Sequence, residues 1–341
     1  MSVRTGSGKF NVGVVGASGM VGGELLGLLE SRRFPVGELF PFNSGRRAAS
    51  VRFRGRRLAC SAPSFDALKK ADIVFFVSNE EVSEKFAPRL AAAGVWCIDD
   101  SSRFRLSPGV PLVIPEVNGG ELKPSKRLIA GPNCTLTGAA VALAGVHRRY
   151  GISELRMATY QAVSGAGKAA MTELEEELRG YLGKGAVPRL KDKGFPRPIA
   201  FNLFPQVGGF DAEGNTGEEN KVEAELKKIL AAPRLRISVT SVRVPVLRGH
   251  SLALWFTTSK PCGLAEIKKE FGRTPGLKFF SRPEDYPTPL ENGHRTDIVY
   301  AGRLRRSKTS AREFQLWVVS DNLYKGAALN SVQIAERIVR I

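Results

Sequence analysis

The stretch Lys9-Phe10-Asn11-Val12-Gly13-Val14-Val15-Gly16-Ala17-Ser18-Gly19 decides the fold of the first part of the chain. Its pattern predicts a strand over Lys9 to Val15, a glycine-rich turn, and a helix over Met20 to Leu29. Glycines let the backbone turn tightly, and they let a pyrophosphate approach the helix N-terminus. Although the spacing departs from G-x-G-x-x-G, we expect this unit to bind a dinucleotide. The residues predicted to contact it are Gly13, Gly16, Ala17, Ser18, Gly19, Met20 and Val21.

Strand and helix patterns continue to alternate up to residue 133. Apolar runs predict strands over Val36 to Phe42, Ala71 to Ser78, Gly94 to Ile98 and Arg127 to Ala130, and a helix over Glu81 to Ala93. Alternating strands and helices imply a doubly wound parallel sheet. We therefore predict an α/β protein whose first domain, residues 1–133, is of the Rossmann type.

The pattern changes after residue 133. Helices are predicted over Leu136 to Arg149 and Ala169 to Leu182, and strands over Arg156 to Ser164, Arg236 to Val246, Leu252 to Thr258 and Phe314 to Val319. The Lys-, Pro- and Gly-rich stretch Gly183 to Gly217 is typical of long loops. This predicts a second, α+β domain over residues 134–321. A final helix, Lys325 to Ile341 within the segment 322–341, is expected to return to the first domain.

The chain is strongly basic, with 51 Lys and Arg against 33 Asp and Glu and a net charge of +18. Such a charge suggests nucleic acid as a partner. However, the basic clusters are short and no nucleic-acid-binding module is recognisable. A solvated basic surface, or sites for small anions, therefore explains the charge better, and we predict no nucleic-acid partner.

Cysteine and histidine are sparse. The four cysteines lie far apart without a C-x-x-C pair, and there are three histidines. This is neither a disulfide framework nor a zinc signature, so no metal is predicted. No apolar run approaches the ~20 residues of a membrane span, and the start lacks the pattern of a secretion signal. We expect a cytoplasmic protein without a membrane partner.

The segment after the second predicted strand bears on the choice of dinucleotide. NAD-type folds usually carry an acid here for the ribose hydroxyl, but Phe42-Asn43-Ser44-Gly45-Arg46-Arg47 has none. Guanidinium groups pair well with phosphate. We therefore predict NADP, with Ser44, Arg46 and Arg47 near its 2′-phosphate.

The segment Gly131-Pro132-Asn133-Cys134-Thr135 places a cysteine at the N-terminus of a predicted helix. Unpaired N–H groups and the macrodipole favour negative charge at a helix N-terminus. A thiol there loses its proton more easily, and the thiolate is the nucleophilic form. Since buried structural cysteines are commoner than reactive ones, this segment alone leaves both interpretations open.

Further motifs identify a family. They are Ser101 to Arg105, Val113 to Asn118, Thr159 to Gly167, Gly217 to Lys221, Arg243 to Ser251 and Asp321 to Ala328. With the glycine turn and the cysteine segment, these motifs closely resemble the aspartate-β-semialdehyde dehydrogenase family nearly from end to end. Asp100 and Gly131 stand where asparagine is frequent in that family.

The resemblance implies a reversible reaction in which aspartyl phosphate and NADPH give aspartate semialdehyde, NADP and phosphate. The pathway would lead to lysine, threonine, methionine and isoleucine. It implies that Cys134 is the nucleophile that forms a thioester, that His250 is the acid–base residue and that Gln161 orients groups beside the cysteine. It also implies that the second domain is catalytic and forms a homodimer or a dimer of dimers.

Substrate and cofactor positions also follow from the resemblance. Arg243 matches the residue for the substrate carboxylate, and Glu218 the residue for the ammonium group. Arg105, Asn133 and Lys221 match phosphate-binding positions. The resemblance further places Ser164 and Gly165 of the second domain, and Asn322 of the final segment, beside the cofactor.

Three alternatives remain at this point. N-acetyl-glutamyl-phosphate reductases share the architecture and the thioester chemistry, but glycine usually precedes their cysteine, whereas Asn133 does here. An acetamide would also not need the carboxylate of Glu218. The others are a non-catalytic basic nucleic-acid-binding protein and an inactive paralogue; the joint presence of Cys134, Gln161, Arg243 and His250 argues against the last.

Overall fold

The computed structural model of the chain describes residues 8–45, 48–188 and 194–341. The chain divides into two compact units. Unit 1 comprises Met1–Asn133 and Ala327–Ile341, and unit 2 comprises Cys134–Gly326. The second unit therefore ends at Gly326 rather than at residue 321.

The first segment of unit 1 alternates strands and helices. Its elements are β1 Phe10–Val15, α1 Met20–Ser31, β2 Val36–Phe42, β3 Ser50–Phe53, β4 Arg56–Ala59, α2 Phe65–Leu68, β5 Ile73–Phe76, α3 Glu80–Ala92, β6 Trp96–Asp99, α4 Pro115–Asn118 and β7 Leu128–Ala130. Five of the strands form one parallel sheet in the order β2-β1-β5-β6-β7. Strand β5 is buried throughout, as expected of a parallel sheet covered on both faces. The predicted doubly wound domain is confirmed.

The hairpin of β3 and β4 was not predicted. Each strand has only four residues. Strand β3 alternates the buried Val51 and Phe53 with polar residues over too short a run to stand out, and β4 shows no such alternation. They are joined at Arg54 and Gly55, which both have positive φ (48° and 74°). Two such residues in succession are typical of a tight hairpin turn.

Unit 2 is built around a mixed sheet. Its elements are α5 Cys134–Tyr150, β8 Ile152–Gln161, α6 Lys168–Lys184, α7 Gly217–Ile229, β9 Arg236–Arg243, β10 His250–Thr258, α8 Leu264–Phe271, β11 Leu277–Phe279, α9 Pro289–Asn292, β12 Val299–Arg306 and β13 Glu313–Ser320. The strand order is β11-β12-β13-β10-β8-β9. The pairs β8/β9 and β11/β12 are parallel, and the others are antiparallel. Helix α5 packs on one face of the sheet, over the buried Leu252, Leu254 and Phe256.

Helices α5 and α7 differ from the sequence-based expectation. Helix α5 begins at Cys134 itself rather than at Leu136. Helix α7 was not predicted, and it begins where the stretch expected to be loop ends; its N-cap Thr216 and N3 residue Glu219 form a capping box. The signature Thr216-x-x-Glu219 was visible in the sequence, but the glycine-rich surroundings obscured it. Elements α8, β11 and β12 were also not predicted.

The C-terminal helix is shorter than predicted. A π-helical turn spans Tyr324–Ala328, and α10 follows as Leu329–Ile338. Within unit 1, α10 packs against α1, α4 and β6. Arg32 forms an ion pair with Glu336 at 2.7 Å, which ties α10 to the end of α1. None of the helices in the described ranges has both the length and the apolar character needed to cross a bilayer.

Asp100 follows β6 and connects it to α10. The Ser331 hydroxyl donates a hydrogen bond of 2.5 Å to Asp100 Oδ1. A Cβ atom on residue 131 would lie 2.3 Å from the same oxygen, so Gly131 provides the room that this carboxyl needs. Burial, opposed by the hydrogen bond from Ser331, raises the pKa of Asp100 to about 7. The carboxyl is therefore mostly neutral in the folded chain below about pH 7, whereas an exposed aspartate is already ionised well below that pH.

Replacing this carboxyl should change the pH dependence of stability. A folded-state pKa above the unfolded value of 3.8 gives stability that is complete at low pH and is lost as the pH rises towards about 7. We expect Asp100→Asn to raise the melting temperature at pH 8 by several degrees, since ~1 kcal/mol corresponds to about 2–4 °C. Thermal unfolding from pH 4 to pH 8 measures this.

The exposed Asp66 provides the matched control, because Asp66→Asn removes a charge that is already in water. The increase in melting temperature caused by Asp100→Asn should grow between pH 4 and pH 7 and then level off. An increase in melting temperature that is equal at pH 4 and pH 8, or no increase at all, would contradict a raised pKa of the Asp100 carboxyl.

Candidate active site

Cys134 is the first residue of α5, and its side chain is half-buried. The chain at Gly326 packs directly behind it. A Cβ atom on Gly326 would lie 2.7 Å from Cys134 Cβ, so only glycine fits against the cysteine here. The sulfur thus lies at the positive end of a 17-residue helix, where the backbone favours a thiolate.

His250 is the first residue of β10 and is fully buried. Its Nε2 atom lies 3.6 Å from Cys134 Sγ. The backbone N–H of Ala162 donates to its Nδ1 at 3.1 Å. Because Nδ1 accepts this hydrogen bond, the neutral ring carries its proton on Nε2, the atom that faces the sulfur.

The charge state of His250 is set by its surroundings. Burial, followed by the positive charge of Arg243, lowers the pKa of His250 from 6.5 to about 3. A backbone hydrogen bond with Gly249 favours the protonated ring and offsets only part of this effect. The imidazole is therefore neutral at physiological pH.

Arg243 ends β9 and is buried. Its Nη1 donates to the carbonyl oxygen of Ala162 at 2.7 Å. Burial lowers the pKa of Arg243, while the negative charges of Cys134 and Glu218 oppose that shift. A Cβ atom on Gly165 would lie 3.1 Å from Arg243 Nη1 and 3.4 Å from His250 Nε2, so Gly165 lies against both side chains.

Glu218, in the first turn of α7, accepts two hydrogen bonds on Oε1. Thr135 Oγ1 donates at 2.8 Å and Gln161 Nε2 at 3.0 Å. Gln161 Oε1 in turn accepts from the hydroxyl of Thr159 at 3.0 Å. The carboxylate is therefore linked to the residue next to the cysteine and to the end of β8.

The backbone just before His250 is held by a polar network. Asn322 Oδ1 accepts from the N–H of Gly249 at 2.9 Å, and Asn322 Nδ2 donates to Ser164 Oγ at 2.9 Å. Next to them, Arg248 forms a buried ion pair with Asp321 at 2.7 Å. Ser164 and Asn322 were predicted to lie beside the cofactor. In the structure they hold the backbone at Gly249, the residue before His250.

The glycine turn lies in unit 1, between β1 and α1. Gly16 has a φ of 94°, and a Cβ atom there would lie 2.6 Å from the carbonyl oxygen of Val77. A Cβ atom on Gly22, in α1, would lie 2.3 Å from the oxygen of Gly16, so this glycine sets how closely the helix follows the turn. Gly22 was not among the predicted residues. The first turn of α1 contains no acid, which suits an anionic ligand.

The other residues of the predicted dinucleotide site differ in exposure. Ser18 and Gly19 are exposed, and Met20 and Val21 are half-buried. Ala17 is buried, and Gly13 lies inside β1 against Val74 of β5 rather than on the turn surface. Ser44 follows β2 and is exposed, whereas Arg46 and Arg47 lie outside the described residues.

The predicted phosphate-binding residues belong to different units of the chain. Arg105 and Asn133 belong to unit 1 and are both buried. Arg105 Nη2 donates to the carbonyl oxygen of Asp100 at 2.7 Å. Lys221 lies one turn beyond Glu218 on α7 and is exposed.

Two family models match the chain. The NAD binding domain of semialdehyde dehydrogenases matches residues 11–125, and their dimerisation domain matches residues 143–325. An aspartate-semialdehyde dehydrogenase from Shewanella violacea is 43% identical over 338 residues, covering 98% of this chain and 99% of the relative. The chain belongs to the aspartate-semialdehyde dehydrogenase family.

Solved structures of the family agree with the fold. Aspartate semialdehyde dehydrogenase II from Vibrio cholerae superposes with a TM-score of 0.93 at 38% identity, covering 97% of this chain and 99% of that one. A second structure of that enzyme, complexed with ASA, has a TM-score of 0.92 at 37% identity and covers 97% and 98%. The α/β architecture expected from the sequence is thus confirmed.

Unit 2 brings together six residues that the family resemblance had singled out: Cys134, Gln161, Gly165, Glu218, Arg243 and His250. Sequence reasoning missed four others, Thr135, Thr159, Arg248 and Asp321. A hydroxyl next to the cysteine, and another two residues before Gln161 on the same strand face, were the available signals for the threonines. Arg248 and Asp321 are 73 residues apart, and no local pattern connects them.

The protonation of His250 can be measured directly, because the chain has three histidines. We expect the ¹⁵N spectrum of the imidazole to show an unprotonated Nδ1 and a protonated Nε2 that do not change between pH 5 and pH 8. The reason is the hydrogen bond from Ala162 together with the pKa of about 3. His147→Gln and His294→Gln assign the signals, and titration near pH 6.5 or a proton on Nδ1 would refute the assignment.

Proposed function

We propose that this protein is an aspartate-semialdehyde dehydrogenase, catalysing the reversible reductive dephosphorylation of aspartyl phosphate to aspartate semialdehyde and phosphate. The observation that carries the proposal is the 3.6 Å approach of His250 Nε2 to the sulfur of Cys134 at the start of α5. The relatives at 37–43% identity over nearly the whole chain support the same activity.

Cys134 supplies the nucleophile. Its thiolate attacks the acyl carbon, a C–S bond forms, and the bond to the phosphate oxygen breaks, leaving a thioester. This divides one difficult displacement into two easier steps. The helix N-terminus and the guanidinium of Arg243 both favour the ionised sulfur, so His250 need not remove the proton.

His250 then acts as a hydrogen-bond donor. With Nδ1 occupied by Ala162, the Nε2–H group faces the reacting centre and stabilises the negative oxygen of each tetrahedral intermediate. Expulsion of phosphate, and later of the thiolate, requires this oxygen to remain negative until the carbonyl re-forms. A neutral donor suits that task better than a strong acid.

The glycine turn fits a dinucleotide, because Gly16 and Gly22 keep side chains away from it and the first turn of α1 has no acid. A bound nicotinamide dinucleotide supplies the hydride that reduces the thioester to the semialdehyde. We propose NADP, since the segment after β2 contains Arg46 and Arg47 and no acid for a ribose hydroxyl. Ser44, exposed beside them in sequence, is proposed to contribute a hydroxyl.

Substrate recognition is proposed to rest on opposite charges. The buried guanidinium of Arg243 suits the substrate carboxylate, and Glu218 suits its ammonium group. Glu218 accepts hydrogen bonds from Thr135 and Gln161 on Oε1, which hold the carboxylate in place beside the cysteine. An acetylated substrate has no cation for this carboxylate, which disfavours the N-acetyl-glutamyl-phosphate reductase alternative. Arg105, Asn133 and Lys221 are proposed to bind phosphate on the basis of the resemblance.

We also propose that two copies pair through the open face of the sheet in unit 2. Strand pairing places Tyr160, Trp255, Tyr300 and Trp317 on the face opposite α5. The rings of Tyr160 and Trp317 are in contact at 5.5 Å, and a cavity of about 480 Å³ adjoins both tryptophans. Aromatic residues clustered on an open face are typical of interfaces. The match to a dimerisation domain supports this assignment.

The activity is tested by following NADPH formation from aspartate semialdehyde and phosphate. We expect activity in the native chain and a loss of at least ~10⁴-fold in Cys134→Ala, because the nucleophile is gone. Cys60→Ser is the matched control and should retain full activity. NAD and N-acetylglutamate semialdehyde should each be poorer substrates.

An inactive native chain would overturn the assignment to this reaction. Equal activity of the native chain and Cys134→Ala would instead overturn the thioester mechanism. A preference for NAD would remove only the proposed cofactor, and a preference for the acetylated semialdehyde would favour the alternative enzyme.

The proposed interface is tested by Trp255→Glu, which places a charge at the centre of the open face. We expect the protein to change from dimer to monomer in analytical ultracentrifugation, since an unpaired buried charge costs several kcal/mol. Leu106→Glu, at an exposed apolar residue of unit 1, is the control and should leave the dimer intact. A dimer unaffected by Trp255→Glu would place the interface elsewhere.

A further inference from the structure

Thr159 lies on β8, two residues before Gln161, and is fully buried. Its hydroxyl oxygen accepts a hydrogen bond from the backbone N–H of Val242, on β9, at 3.2 Å. The same hydroxyl donates to Gln161 Oε1 at 3.0 Å. Gln161 Nε2 then donates to Glu218 Oε1 at 3.0 Å. A continuous series of hydrogen bonds therefore runs from the β9 backbone to Glu218.

The direction of this series is fixed by what each group can do. A backbone N–H only donates, so the oxygen of Thr159 must accept from Val242, and its single hydrogen is left for Gln161. At the other end an ionised carboxylate only accepts, so Gln161 must present its NH₂ group to Glu218. The two ends therefore permit a single orientation of the amide, with its oxygen towards Thr159 and its nitrogen towards Glu218.

We propose that Thr159 is a positioning residue that fixes the orientation of the Gln161 amide beside the reacting centre, an inference that rests on the proposed function. Without the hydroxyl, the amide oxygen of Gln161 loses its donor. The amide can then rotate, and a rotated amide would direct its oxygen at the carboxylate of Glu218. Two acceptors facing each other repel.

The orientation has a consequence for the site. An amide nitrogen carries two hydrogens, and Gln161 uses one of them for Glu218. The second makes no hydrogen bond to any residue that the structure describes, and Gln161 is buried. Thr159 thus keeps an amide donor, rather than a carbonyl acceptor, available for an oxygen of the substrate.

Two variants separate the hydroxyl from the shape of the side chain. Thr159→Val has nearly the same volume but no hydroxyl, whereas Thr159→Ser keeps the hydroxyl and loses a methyl group. We expect Thr159→Val to lower kcat by about 10- to 100-fold, the usual consequence of an unsatisfied buried polar group. The KM for the dinucleotide should not change. Thr159→Ser should remain within about 3-fold of the native chain, since a lost methyl costs little in comparison.

A double-mutant cycle with Gln161→Leu shows whether Thr159 acts through Gln161. We expect Thr159→Val to have less than about a 2-fold effect once Gln161 is replaced, because residues in one hydrogen-bonded network are not additive. Fully additive losses would overturn the proposal. Equal losses in Thr159→Val and Thr159→Ser would also overturn it, since they would indicate packing alone.

A second measurement does not depend on activity. The chain contains four glutamines, so selective ¹⁵N labelling resolves their side-chain amides, and Gln161→Leu assigns the relevant pair. We expect hydrogen exchange of the Gln161 amide to accelerate at least 10-fold in Thr159→Val and to stay unchanged in Thr159→Ser. If the native chain proves to lack dehydrogenase activity, this result alone decides the role of Thr159, and unchanged exchange in Thr159→Val overturns it.

Discussion

The peptide groups of Ala162 are the anchor on which the site in unit 2 depends. Its N–H donates to Nδ1 of His250, and its carbonyl oxygen accepts from Nη1 of Arg243. Residue 162 lies just beyond the end of β8, so these groups are not used by the strand ladder. Buried backbone groups must find partners, and here their partners include the side chains of His250 and Arg243. One residue therefore fixes the imidazole proton and the guanidinium position together.

Arg243 and Arg248, close to His250, make different contacts. Arg248 is neutralised by Asp321, whose oxygens also accept from the backbone of Leu323 and Tyr324. This pair stabilises the loop that leads into β10. Arg243 instead donates to a carbonyl oxygen, and its pKa is lowered by burial. Among the residues that the structure describes, Arg243 has no ion pair of that kind. A desolvated guanidinium in this state favours an anion, which agrees with the proposal that it binds the substrate carboxylate.

The departures from the family pattern at residues 100 and 131 have one structural explanation. Asp100 Oδ1 occupies the space that a side chain at residue 131 would take. The two positions therefore depend on each other, because glycine at 131 accommodates the carboxyl that Ser331 binds. The consequence is a connection between β6 and α10 whose strength depends on pH.

The sequence by itself determined the parallel sheet of unit 1 and the cysteine at a helix start, and the family resemblance singled out most of the side chains that meet in unit 2. Periodicity reports burial, glycine and proline report backbone turns, and these are local properties. The tertiary structure decided which side chains meet: the Cys134–His250 and Thr135–Glu218 contacts join residues 116 and 83 positions apart. Only the register that aligns the ends of β8, β9 and β10 creates these contacts, and with them the roles of Thr159, Ala162 and Asp321. Strand pairing between residues so far apart in the chain produces no local sequence pattern. The sequence could therefore indicate the residues of the site but not the hydrogen bonds that orient them.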